Sequence, residues 1–299
     1  MHRYIVVAVL LAGCASAAQS SIPFKRAGEH LIVVQGSLGD LAKRNLVIDT
    51  GAYPSIVDTA VARKLHISGQ REELDAVTHK LSRPVVILPS VDLGPIHASA
   101  VRAMTADLSA ASRVFGIRID ALIGMDVLRG TNFLVDYRAR SIHFGQFEPL
   151  PAAVPFSGTG PLLTVDLLSD SATIRMLVDT GAQSTLLLAS RLHHDLPQRG
   201  REREFTNLGG AFRLREVTLA AVQLGNVDLG SQAVFVEDSP DLPAYPFDGF
   251  LSTIQFDQIA FDFERQTFSW MAHGSRERVL RLAQHRAISA PILSTFSGN

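Results

Sequence analysis

Cysteine is almost missing, since the 299 residues hold only Cys14. No intramolecular disulfide can form, and nothing downstream supplies a thiol nucleophile, so cysteine-peptidase chemistry is excluded. Charge of one sign is missing as well: 28 Lys and Arg stand against 29 Asp and Glu. No overall field therefore recommends nucleic acid or an anionic surface as partner. Long apolar runs are absent, and the most conspicuous one, Tyr4–Ala12, falls short of the roughly 20 residues that a membrane-spanning helix takes. The chain also lacks His-Glu-x-x-His, Gly-x-Ser-x-Gly, a phosphate-binding loop and a dinucleotide-binding glycine pattern. His193 and His194 are adjacent and would point in different directions on a helix, which makes a poor metal site. Neither a metal nor a cofactor is expected.

What is present is ordinary globular composition, 46% hydrophobic and 19% charged, with enough apolar material for one large core or two smaller ones. His2 and Arg3 ahead of the apolar run, followed by small residues, read as an export signal over 1–17. Two cleavage readings compete. Leu11-Ala12-Gly13-Cys14 has the form of a bacterial lipobox with Cys14 as the lipidated residue, and Ala15-Ser16-Ala17 fits an ordinary signal-peptidase site. The first makes the mature protein a lipoprotein of the bacterial cell envelope, facing the periplasm, with membrane contact only through its N-terminal lipid; the second makes it soluble in the periplasm or secreted.

The rest of the chain repeats itself. Ile22-Pro23-Phe24 recurs as Val154-Pro155-Phe156, and Leu46-Val47-Ile48-Asp49-Thr50-Gly51-Ala52 as Met176-Leu177-Val178-Asp179-Thr180-Gly181-Ala182, with Ser55 set against Ser184. Val91-Asp92-Leu93-Gly94 is answered by Val222-Gln223-Leu224-Gly225, Asp120–Gly124 by Asp248–Ser252, and Phe133–Tyr137 by Ile259–Phe263. The order never changes, so we read two halves, 22–150 and 154–273, joined through a stretch punctuated by Pro and Gly and followed by a tail, 274–299. Short runs rich in Val, Ile, Leu and Phe, broken by Gly, Pro and Asp, predict mainly β halves. Helices are expected over Ser55–Leu65 and Ser184–Leu192, and the basic tail segment Arg276–Arg286 reads either as an amphipathic helix touching membrane lipid or as a segment docked on the second half or disordered.

A lone Asp-Thr-Gly is common turn chemistry. Two of them at equivalent points of a duplication, each after an apolar strand and before an alanine, form a stronger pattern. Water is a weak nucleophile toward a peptide carbonyl, and a carboxylate can take its proton while a second, protonated carboxyl donates to the carbonyl oxygen. Two adjacent aspartates suit this, because repulsion separates their ionisation steps and leaves one acid and one base. Asp49 and Asp179 are the candidates. Gly51 and Gly181 would let backbone N–H groups approach the carboxylates, and Ala52 and Ala182 leave room. Thr50 and Thr180 either lock the loops through their hydroxyls or serve as β-branched strand packing.

These motifs, in this order over nearly all of 22–273, resemble the retropepsin-like aspartic peptidases, specifically bacterial forms with two such units fused in one chain. The resemblance implies a bilobal acid-protease-like fold: two pseudo-twofold-related β-barrel lobes with short helices. Asp49 and Asp179 would then form a catalytic dyad, and Thr50, Gly51, Ala52, Thr180, Gly181 and Ala182 its supporting loops. Each apolar-apolar-Gly segment would pack behind its loop, and a flap would close over a bound peptide or protein substrate in a monomer whose lobes pair within the chain.

Some residues depart from that pattern. Gly209-Gly210 stand where a flap hairpin is expected in the second half, but the matching stretch Ala76–Lys80 has no glycine pair, which predicts one working flap rather than two. Ser252 replaces the glycine found at Gly124, and Tyr53-Pro54 continues the first motif unusually, as though one half had drifted. An inactive peptide-binding protein of the same fold is the competing reading.

Overall fold

The computed structural model describes residues 20–76, 80–157, 160–169, 172–192, 200–207, 210–238, 245–272 and 295–296. Its fold is mainly β and bilobal, and the central strands explain why. Leu41–Ile48 and Ala172–Asp179 begin half-exposed and run into fully buried apolar residues, Leu46–Ile48 and Met176–Val178. Each lies beside a parallel neighbour, Leu46–Ile48 against Ala121–Ile123 and Met176–Asp179 against Gly249–Ser252. A parallel strand covered on both faces takes a continuous apolar run, as Leu46-Val47-Ile48 and Met176-Leu177-Val178 supply.

Around these centres the two halves build matching sheets. The first runs Lys25–Ala27, Leu31–Leu38, Leu41–Ile48, Ala121–Ile123, Ser55–Asp58, Ile96–Ala106, Lys80–Leu93 and Gln70–Ala76, with Thr295–Phe296 added at its edge. The second runs Thr164–Ser169, Ala172–Asp179, Gly249–Ser252, Leu186–Leu188, Val227–Glu237, Gly210–Leu224 and Arg201–Asn207. Both curl back on themselves through a second pairing, Leu38 with Val91 and Leu167 with Leu224.

The halves share a third, six-stranded sheet, ordered Ser20–Pro23, Ser141–Phe144, Phe133–Asp136, Phe256–Asp262, Thr267–Ala272 and Ala152–Pro155. At its middle Phe133 faces Phe261 and Val135 faces Ile259, so exchanging the halves maps each pair onto the other and puts a pseudo-twofold axis between these strands. Phe133 and Phe261 stack with centroids 4.7 Å apart, and Phe256, Phe268 and Trp270 are buried beside them. Each such side chain contributes about 1.5–3 kcal/mol by leaving water, which welds the halves through one apolar cluster.

Three expectations change. Ser55–Asp58 is a strand, and the helix spans only Thr59–Lys64, with Asp58 as N-cap accepting the Ala60 N–H at 3.0 Å. Ile56 and Val57 are β-branched and wholly buried between Ala121–Leu122 and Met104–Thr105, a setting that favours strand over helix. In the second half Leu186–Leu188 is likewise a strand, followed by a single 3₁₀ turn, Ala189–Arg191.

A strand hairpin forms in both halves where a flap is expected. Gln70–Ala76 pairs with Lys80–Leu93 as far as Asp75 opposite Lys80, and Arg201–Asn207 pairs with Gly210–Leu224 as far as Asn207 opposite Gly210. The connection between these pairs is two residues long in the second half and longer in the first. Gly209 lies outside the described residues, as do 1–17 with Cys14, and His193-His194. Within the tail, Thr295–Phe296 are extended and pair antiparallel with Asp75 and Ala76, while its other residues lie outside the described set.

Candidate active site

Asp49 follows its central strand and Asp179 ends the equivalent one, so the parallel pairings carry both to the same level of the molecule. Behind Asp49 its own N–H donates to Ile123 O at 3.0 Å, and Ala52 N–H donates to Asp49 O at 3.2 Å, closing a tight loop. Gly51 N–H donates to Asp49 Oδ1 at 3.0 Å and Gly181 N–H to Asp179 Oδ1 at 2.7 Å, so each carboxylate is held by its own glycine.

The glycines also show how the two loops meet. A Cβ on Gly51 would lie 2.5 Å from Asp179 Cγ, and one on Gly181 2.8 Å from Asp49 Cγ. Each loop thus leans on the opposite aspartate, and no larger residue fits. Both carboxyls are completely buried, each against the glycine of the opposite loop. Asp49 Oδ2 is buried without a hydrogen-bond partner among the described residues, beside the Asp179 charge. Two ionised carboxylates this deeply buried and this close repel one another, which favours one proton held by the pair. Burial, and next the Asp179 charge, push the Asp49 carboxyl well above the ordinary carboxylate range against the opposing pull of the Gly51 and Ala52 N–H groups. The ionisation steps belong to the pair.

The threonines are not mere strand packing. Thr50 N–H donates to Thr180 Oγ1 and Thr180 N–H to Thr50 Oγ1, both at 3.0 Å. Thr50 Oγ1 in turn donates to Val178 O at 2.8 Å, and Thr180 Oγ1 to Ile48 O at 2.9 Å. The alanines do more than leave room. Ala52 O accepts Met125 N–H at 3.0 Å, and Ala182 O accepts the Ser252 hydroxyl at 2.7 Å. Gly210 lies in the second hairpin's backbone, opposite Asn207.

Supporting residues unnoticed in the sequence surround the loops. Ser55 Oγ accepts Gly124 N–H at 2.9 Å and donates to Asp126 Oδ1 at 2.7 Å, and Asp126 also accepts Ser55 N–H. Burial raises the Asp126 carboxyl, partly offset by those Ser55 bonds. In the second half Thr185, not Ser184, takes the Ser55 position, accepting Ser252 N–H at 3.3 Å. The 130-residue spacing of the aspartates already pointed to Thr185. No repeat signal could reveal Asp126, whose counterpart is Ile254. Tyr137 of the first half bonds Thr253 of the second, hydroxyl to hydroxyl, at 2.7 Å. Among the described residues no three His, Cys, Asp or Glu side chains converge to hold a metal ion.

A family model described as aspartyl protease matches residues 34–127 and 164–252. Among solved structures, that of the aspartic proteinase from Irpex lacteus is similar at 14% identity and a TM-score of 0.47, over 88% of this chain and 99% of that one. No curated protein matches the chain at a significant level.

Proposed function

Since the chain belongs to the aspartyl protease family, each matched region carrying one Asp-Thr-Gly loop, we propose that it is an endopeptidase whose Asp49 and Asp179 activate water in the cleft between the lobes. The observation that carries this reading is the mutual burial of the two carboxyls, each against the other loop's glycine. A water held between them would lose its proton to the ionised member as its oxygen attacks the peptide carbonyl. The protonated member would donate to the carbonyl oxygen, giving a neutral gem-diol. Collapse of the diol breaks the C–N bond as one diol hydroxyl returns its proton to the carboxylate that had donated. The proton taken from water passes to the departing nitrogen, so the pair is restored and water is the only co-reactant. Buried N–H groups already aimed at the carboxylates need no reorganisation during the reaction.

The substrate in this reading is an extended peptide or unfolded protein lying beneath the two hairpins. The two features that recommended an inactive binding protein, the first hairpin and Ser252, no longer favour it, since the hairpin forms and the Ser252 hydroxyl bonds the Asp179 loop. We further propose export to the cell envelope, with Cys14 as lipid anchor; segment 1–17 supports this. No helix among the described residues is long and apolar enough to cross a membrane.

The test is digestion of an unstructured protein and a peptide library from acidic to neutral pH in ¹⁸O-labelled water, read by mass spectrometry. Internal cleavage with the label in the new carboxyl termini is expected. Intact substrates throughout the range would overturn the proposal.

A further inference from the structure

Ser252 occupies the place that Gly124 holds in the first half, at the end of the strand paired with the aspartate's own strand. In the first half glycine is enforced, because a Cβ at 124 would lie 2.3 Å from Ala52 O and 2.9 Å from Ala52 C. With no side chain between them, the Asp49 loop closes directly on the strand end, and Met125 N–H reaches Ala52 O at 3.0 Å.

The second half carries a Cβ at this point, and its Asp179 loop is held differently. The Ser252 hydroxyl spans to Ala182 O at 2.7 Å. Its backbone is fixed on both sides: Ser252 N–H donates to Thr185 Oγ1 at 3.3 Å, and the next residue, Thr253, is bonded by Tyr137 from the other half. Ser252 is buried, so water cannot substitute for the lost bond if the hydroxyl is removed.

We propose that Ser252 is a positioning residue for Asp179, its hydroxyl holding the loop through Ala182 O where the Asp49 loop is held by a backbone N–H. The two halves then keep their carboxyls in register by different chemistry. Ser252 touches neither substrate nor carboxylate; it acts by fixing the loop that carries one.

The proposal orders the variants in an unusual way. Ser252→Ala keeps the Cβ that separates loop from strand and removes the hydroxyl that bridges the gap, so Ala182 O loses this bond and the loop loosens. Ser252→Gly removes the spacer as well, and the loop can settle on the backbone N–H of Thr253 as Ala52 does on Met125. A residue that merely fills space gives the opposite order, because glycine deletes more buried atoms and adds backbone freedom.

The assay, which rests on the peptidase reading, measures kcat, KM and Tm for wild type, Ser252→Ala and Ser252→Gly. Ser252→Ala is expected to lose about 10- to 100-fold in kcat, with KM changed less than about twofold and Ser252→Gly recovering much of the loss. Tm should fall in the other order, lowest for Ser252→Gly. A kcat that follows Tm, or an undiminished kcat in Ser252→Ala, overturns the assignment. Asp49→Asn separates the two failures: if wild type is as inactive as this variant, the peptidase reading has failed. The series is then read as calorimetric affinity for a peptide with a secondary alcohol in place of the scissile carbonyl. Weakest binding by Ser252→Ala is expected, and equal binding by all three overturns the positioning role.

Discussion

Thr50 and Thr180, 130 residues apart, each accept the other's backbone N–H at 3.0 Å through the side-chain hydroxyl. Neither loop can move without breaking bonds made by both, so the relative placement of the aspartates is set by this exchange beneath them. Thr50→Val keeps shape but strands Thr180 N–H and Val178 O in a buried site, at about 1–3 kcal/mol for each group. Thr50→Ser keeps the hydroxyl and should cost only about 1 kcal/mol for one methyl group. Urea unfolding checks both. Combined with Thr180→Val, which removes the other two bonds of the exchange, the Thr50→Val loss should be less than additive, because loops already released by one substitution have less order left to lose.

Asp49→Asn should stabilise the protein at neutral pH. Its carboxyl is raised well above the ordinary value of 3.8 by burial and then by Asp179. The protonated form therefore suits the fold, and stability from this group is fully present below pH 3.8 and lost as pH rises through the folded-state value. Asparagine carries no such loss. Thermal unfolding should show the variant above wild type at neutral pH, with the gap closing in acid. A constant gap would contradict the coupling.

His30 works in the opposite direction. It is buried, its two ring nitrogens have no partner among the described residues, and its ring meets the edge of Phe115 with centroids 5.6 Å apart. Burial first, and then the Arg26 charge, lower it from 6.5 to about 3. Above pH 6.5 the imidazole is neutral both folded and unfolded. Below that the unfolded chain takes a proton that the fold refuses, and stability falls by up to about 1.4 kcal/mol per pH unit until about pH 3. In His30→Leu, denaturant midpoints should fall less steeply over this window than in wild type. Identical slopes would remove His30 from the account.

The duplication was legible because both copies keep the same residues where the chemistry is strict. The Asp-Thr-Gly loops cannot admit a Cβ at Gly51 or Gly181, and the strands before them must be apolar on both faces, so sequence and structure agree there. Legibility failed where tertiary neighbours decide. Ser55–Asp58 has a helix-like pattern but lies between two strands. The first hairpin pairs its strands without the glycine pair that marks the second in the sequence. Ser252 looked like decay, since a hydroxyl and a backbone N–H that make equivalent bonds share no sequence signature. Asp126 has no counterpart to be matched with.

The most direct test of the shared-proton site is turnover of one unstructured substrate by Asp49→Asn and Asp179→Asn, each compared with wild type. The account predicts that either substitution alone lowers kcat by at least about 10³-fold, because acid and base act as one unit, while both variants still unfold cooperatively. Wild-type turnover in either variant would contradict it.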